Sequence, residues 1–341
     1  MTIRAWLAGL ALSIGVSSSA LAADEALVAA AKKEGTVVWY TVQTIPQIVT
    51  PLVAAFEKKY GIKITYVRAN SSDVAIRILN EAKGGRVLAD VFDGTGTLPP
   101  LLRESLVAQW LPDFVSTWPK DLFDANRYWV ATNAFVNTVA INTDLVKPQD
   151  EPKTWDDLLD PKWKGRMAWG STPSPSAGPG FIALMYKVRG EAGATAYLSR
   201  LAAQNVAGYP VAARQILDQV IAGEYALGIM VFNHHPVISA AKGAPTKWLP
   251  VGPALMTFNT ASVMKDAPHP NAARLFLDYM VGEEGQTLFR DNDYLSANPK
   301  VPPKDPTLLP DGKRFEGVFI SQEEFDQNMP KWVDIFRKTF R

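Results

Sequence analysis

The sequence predicts an α/β fold of two lobes joined by two crossing segments. Strand and helix periods alternate in two separate stretches of the chain, and two long extended runs lie where the chain would pass between them. No internal repeat or low-complexity segment interrupts this order.

In the first stretch, residues 35–40 (GTVVWY) read as a buried strand ending at the loop 41–44. Ile48, Leu52, Phe56 and Tyr60 then recur every four residues, the period of an amphipathic helix, and Gly61 stops it. Pro51 inside this run predicts a kink. Residues 62–66 alternate as a second strand. Asn70, Ser71 and Ser72 cap a helix that carries Val74, Ile78, Leu79 and Ala82 on one face and ends at Gly84 and Gly85. Residues 88–92 form a third buried strand, followed by the turn 93–96.

Residues 128–142 (YWVATNAFVNTVAIN) run extended for longer than one strand of a small domain needs, as a crossing segment would. The second stretch has a strand at 166–169, a Pro/Ser/Gly loop at 170–180, and a helix beginning near Phe181. A further helix at 211–222 and a strand at 225–232 complete it. Residues 253–264 (PALMTFNTASVM) then carry the chain back. In the tail, Trp332, Ile335, Phe336 and Phe340 share one helical face, which predicts a helix docked on a lobe. Trp39, Tyr40, Tyr128 and Trp129, at strand ends, read as core before cleft wall.

The chain opens on Arg4, a short apolar run over residues 5–16, and the small-x-small site Ala20-Leu21-Ala22. This is the form of a secretory leader spanning residues 1–22, with export to the periplasm, and its apolar run is too short to cross a bilayer. There is no cysteine, so disulfides, thiolate metal sites and lipidation of an N-terminal cysteine are excluded. Without Arg4, the 34 acidic side chains are matched by an equal number of Lys and Arg. A balanced surface without basic blocks argues against nucleic acid or an anionic membrane as partner. There is no G-x-S-x-G elbow, P-loop or H-E-x-x-H, so the reading is not an enzyme, with a secreted hydrolase as the distant alternative.

Five segments, in this order, carry a family resemblance: AKKEGTVVWY (31–40), LADVFDG (88–94), TWDDLLDPKWKGRMA (154–168), VIAGEYALGI (220–229) and APHPNAARLFLDYMVGEEGQ (267–286). The chain resembles the extracellular solute-binding proteins of bacterial ABC importers, and within them the ferric-iron-binding group. The resemblance implies a type II periplasmic binding protein with two Rossmann-like lobes. Lobe one would comprise residues 23–134 with 260–300, and lobe two residues 135–259 with 301–341. A monomer would close by hinge motion on one small-molecule solute and deliver it to an ABC permease. No cofactor is implied.

Solute would lie at strand C-termini and helix N-termini. That places Thr41, Gln43, Thr44, Ser71, Ser72, Gly94, Thr95, Ser174, Ser176, Ala177, Gly178, Asn233, His234 and His235 in the expected site. Iron-binding members carry two adjacent tyrosines where this chain has His234 and His235, and their other ligands fall near Thr44 and Thr95, both neutral. The resemblance therefore carries the fold and transport role further than the ferric ligand. Adjacent imidazoles diverge on a helix or strand and rarely chelate one ion, so no metal ligand is assigned. Asn233 reads as a helix cap with Pro236 in the first turn. The histidines read as solute-contacting donors, then as incidental, then as ligands of a softer metal. Ser174, Ser176 and the N–H groups of Ala177 and Gly178 could cradle phosphate or carboxylate oxygens, which favours an anionic solute. The alternative is ferric iron or another, chelated, metal.

Overall fold

The computed structural model describes residues 25–340; the predicted leader lies outside them. Its first part is built from α1 (Glu25–Glu34), β1 (Thr36–Thr41), α2 (Thr50–Tyr60), β2 (Lys63–Arg68), α3 (Ser71–Lys83), β3 (Val91–Asp93) and α4 (Leu98–Arg103). β4 (Val130–Asn142) leads to β5 (Met167–Gly170), α5 (Gly178–Ala202), β6 (Ala207–Tyr209), α6 (Ala213–Ile221), β7 (Leu227–Phe232), α7 (His234–Ala240) and β8 (Thr246–Leu249). β9 (Ala254–Val263) returns to α8 (Pro270–Val281), α9 (Glu283–Asp291) and β10 (Leu295–Ser296), and the chain ends with β11 (Gly317–Phe319) and α10 (Gln322–Thr339).

The strands form one sheet in the order β2-β1-β3-β9-β4-β7-β5-β6, with β10 and β8 also on β4 and β11 on β9. β1 lies parallel to both β2 and β3, and β5 parallel to both β6 and β7, so each half holds a parallel core served by crossover helices. β4 and β9 are the expected crossings. The first part of β4 pairs antiparallel with β9, and its last residues pair with β7 and β8. β9 pairs at its far end with β3. Both long strands thus belong to both lobes.

Each lobe has its own aromatic-rich core. In lobe one Phe276 of α8 lies 5.2 Å from Trp39 and 5.1 Å from Phe56, ring centre to ring centre. Trp39 and Tyr40 are buried, as expected of core residues. In lobe two Trp155, Trp169, Phe181 and Tyr197 are buried together, and α10 closes over them with Phe336 5.4 Å from Trp169. The tail is therefore a docking helix, as its apolar face predicts. Among the described residues no helix is long and apolar enough to cross a membrane.

Two local expectations change. At Pro51 the helix changes type: a π-turn (Ile45–Val49) runs directly into α2, and Pro51 falls in the first turn of α2, where its missing N–H is tolerated. α5 begins at Gly178, three residues before Phe181, because Pro179 suits the first turn. Gly180 lets the Pro175 carbonyl come so close that a Cβ there would lie 1.8 Å from its oxygen.

Candidate functional site

The C-terminal ends of β1 and β3 meet at Asp93. Its carboxylate accepts hydrogen bonds from Trp39 Nε1 (2.8 Å), Thr41 Oγ1 (2.6 Å), the Val42 N–H (3.1 Å) and Asn259 Nδ2 (3.2 Å). Burial pushes its pKa up to about 6, against the pull of those four donors. Asp93 thus fastens β1, β3 and the crossing strand β9 together and aims the loop that follows β1. Thr41 is spent on this framework: it is fully buried, donates to Asp93 and accepts from the Gln43 N–H.

The next two side chains reach across the sheet. Gln43 Nε2 donates to Asn133 Oδ1 of β4 at 3.0 Å, and the Thr44 hydroxyl shares a 2.8 Å hydrogen bond with the Tyr294 phenol. His234 then meets Tyr294 from the lobe-two side, ring centres 5.2 Å apart, with His235 at 4.6 Å from His234. Phe135 of β4 and Phe232 of β7 stack at 4.5 Å beside them. Gln43, Thr44, His234 and His235, far apart in sequence, therefore converge where the two lobes meet.

The most informative feature of this cluster is what it leaves unpaired. His234 is fully buried, yet neither ring nitrogen has a hydrogen-bond partner. Asn133 Nδ2, His235 Nδ1 and Asn259 Oδ1 are also buried without partners. Each such group costs about 1–3 kcal/mol when left unsatisfied. Buried polar atoms without partners are the groups here with hydrogen bonds still to make.

The remaining expected residues separate into three groups. Ser71 and Gly94 are brought together: the Thr97 hydroxyl donates to the Ser71 and Asp93 carbonyls, and Gly94 (φ +142°) has no room for a Cβ beside Thr97 Oγ1. Thr95 is half-buried and Ser72 exposed on this rim. Asn70 Oδ1 accepts from the Asp73 N–H, confirming the cap of α3.

The 170–180 loop is largely self-satisfied. Ser174 and Ser176 hydroxyls bond each other at 3.1 Å, the Ala177 N–H donates to the Ser174 carbonyl, and Gly178 lies under Phe336. Gly178 is thus a packing glycine, required because a Cβ would lie 2.0 Å from Phe336 Cε2.

Asn233 corrects the capping expectation. Its backbone is already helical (φ −60°, ψ −29°) and its amide donates to the Leu308 carbonyl at 2.6 Å, so it tethers the 306–308 turn and caps nothing. α7 has only seven residues. The site consequently rests on side chains, with little help from that helix end.

A cavity of about 950 Å³ between α4, Tyr128, Trp129 and the start of α10 shares none of these residues. The orphaned groups lie elsewhere, around the loop after β1, the first half of β4 and the start of α7.

Residues 40–287 match the family of bacterial extracellular solute-binding proteins. The chain belongs to this family. It is 24% identical over 297 residues to the Fe(3+)-binding periplasmic protein of Serratia marcescens, covering 81% of this chain and 85% of that one. It is likewise 24% identical over 308 residues to a putative 2-aminoethylphosphonate-binding periplasmic protein of Salmonella typhi, covering 87% and 83%. Among solved structures, the periplasmic binding protein AfuA from Actinobacillus pleuropneumoniae, with fructose-6-phosphate bound, superposes with a TM-score of 0.73. The two share 21% identity over 90% of this chain and 98% of that one. The fold is that of the type II periplasmic binding proteins, and the family consists of solute carriers rather than enzymes.

In this solute-binding protein both imidazoles are neutral at neutral pH. Burial, then His235, holds the pKa of His234 well below 6.5. Burial, then Arg214, lowers that of His235 to about 4 against the opposing pull of Asp218. Depressed values mean that the folded protein suffers no protonation penalty from the two rings above the unfolded value of about 6.5, and that stability is lost as the pH falls towards about 4. Solute affinity measured by calorimetry is therefore expected to stay level from about pH 8 down to about 6.5. An affinity that fell as the pH rose through that range would show a protonated donor instead.

Sequence reasoning missed Asn133, Tyr294, Asn259 and Asp93. The available signal was the polarity of the crossing strands: Thr132, Asn133, Asn137 and Thr138 are all buried in β4, and Asn259 and Thr260 in β9. A buried strand carrying that many amides and hydroxyls is doing something other than packing.

Proposed function

We propose that this protein captures one small anionic solute in the cleft between its lobes and delivers it to an ABC permease, without chemical turnover. In this reading it works as a monomer in the periplasm, after removal of residues 1–22. Lobe one comprises residues 23–134 with 260–300, and lobe two residues 135–259 with 301–341.

The observation that carries the reading is the orphaned, fully buried His234 against Tyr294, whose phenol bonds Thr44, next in the chain to the Gln43 that holds Asn133. The groups gathered there are imidazole, amide and hydroxyl, and the nearby carboxylate of Asp93 already accepts four hydrogen bonds. The imidazole and amide groups there can donate to phosphate or carboxylate oxygens, and no free carboxylate repels them. It suits bare ferric iron poorly. Among the described residues no three His, Asp or Glu side chains are placed to hold a metal, and the Tyr294 phenol has its pKa raised by burial, which disfavours phenolate. The Salmonella phosphonate-binding relative and the sugar-phosphate complex of AfuA lie on the same side of that distinction.

The test is a thermal-shift panel of phosphorylated, phosphonate and carboxylate solutes, with ferric salts alongside, on refolded protein. Anions should raise the melting temperature of the parent, and the rise should disappear in Asn133→Ala. Stabilisation by ferric ion alone, or by neutral solutes alone, would refute the proposal.

A further inference from the structure

The cluster at the lobe junction lacks a positive charge of its own; Arg214, which acts on His235, is committed to Asp218, but another arginine nearby stands unused. Arg68 is the last residue of β2, in register with Thr41 of β1, and the Ala69 N–H after it donates to the Thr41 carbonyl. Its side chain therefore starts at the same strand ends that launch Gln43 and Thr44, next to the Asn70-capped start of α3. It is exposed and, among the described residues, no carboxylate pairs with it. Arg77, on the outer part of α3, shows the contrast: it is committed to Glu81 and to the Tyr40 ring. The Arg68 charge reaches the Tyr294 phenol, whose hydroxyl is bonded to Thr44, and it opposes the effect of burial there.

We propose that Arg68 forms the ion pair that selects an anionic solute over a neutral one, its guanidinium closing on the phosphate or carboxylate that Thr44, Asn133 and His234 hold from the other side. This rests on the anionic-solute reading above and adds the residue that sets it. A planar guanidinium can grip two oxygens at once, which suits phosphate monoesters, phosphonates and carboxylates alike. An exposed, flexible arginine costs nothing while the cleft is open and gains strength as closure removes water around the pair.

The experiment titrates refolded full-length mature protein calorimetrically with fructose 6-phosphate, 2-aminoethylphosphonate and citrate, which separate phosphate, phosphonate and carboxylate. At least one should bind, with affinity that weakens as sodium chloride is raised. Arg68→Gln should lose about 10- to 100-fold of that affinity and most of its salt dependence, and Arg68→Lys should retain more. Lys83→Gln, at the far end of α3, removes the same charge and should bind like the parent. Arg68→Gln binding as tightly as the parent, or failure of all three anions to bind the parent at millimolar concentration, would overturn the proposal. His234→Leu tells two failures apart. If it weakens binding and Arg68→Gln does not, the junction site stands without Arg68; if neither does, the site itself is wrong.

Discussion

Alanine at position 93 is expected to destabilise the protein by about 3–5 kcal/mol in urea unfolding at neutral pH. Four donors, from Trp39, Thr41, Val42 and Asn259, lose their only shared acceptor, and the site is too enclosed for water to replace it easily. The loop carrying Gln43 and Thr44 also loses its anchor, so solute binding should fall with stability. The carboxylate itself is not ideally placed. Its pKa is raised to about 6, so the stability it contributes is fully present below its unfolded value of about 3.8 and is partly lost as the pH rises through about 6. Asp93→Asn, which cannot ionise, should therefore show less decline than the parent between about pH 4 and 7, even if it is less stable throughout. A loss below about 1 kcal/mol for Asp93→Ala would show that the four bonds are replaceable and that Asp93 is not the organiser of the cleft.

Leucine in place of His234 should have the opposite pattern. A buried imidazole with two unpaired nitrogens costs the empty protein stability, and a leucine of similar volume among Phe135, Phe232 and Tyr294 removes that cost. The empty variant is expected to melt no lower than the parent while binding solute at least about tenfold more weakly. His234→Ala is a poorer probe, because the side chain is fully buried and its removal leaves a void. A leucine variant that lost stability and kept its affinity would make His234 an ordinary core residue.

Much of the fold could be read from periodicity. The four-residue spacing of Leu52, Phe56 and Tyr60, the short apolar runs that became β1, β3 and β7, and the single face of α10 are local patterns, and burial preserved them. The crossings were legible through length alone, since thirteen extended residues in β4 exceed what one lobe uses. The site was legible only in part. Gln43, Thr44, His234 and His235, which the structure brings together, were expected there because they follow strands, which a parallel sheet points at its ligand. Their partners were hidden because Thr44 meets Tyr294 across 250 positions of sequence and Gln43 meets Asn133 across 90. No local pattern encodes such pairs. Asn233 misled for a related reason: its side chain can cap a helix or bond a distant carbonyl, and Leu308, far along the chain, decided which.

Native mass spectrometry of protein released gently from the periplasm, with elemental analysis of the same sample, tests whether the junction of the two lobes holds one small anionic solute. One phosphorylated, phosphonate or carboxylate solute per chain is expected, shed on denaturation and missing from His234→Leu prepared in parallel. A stoichiometric iron ion without an organic or phosphate companion, or a neutral solute retained equally by the parent and His234→Leu, would contradict it.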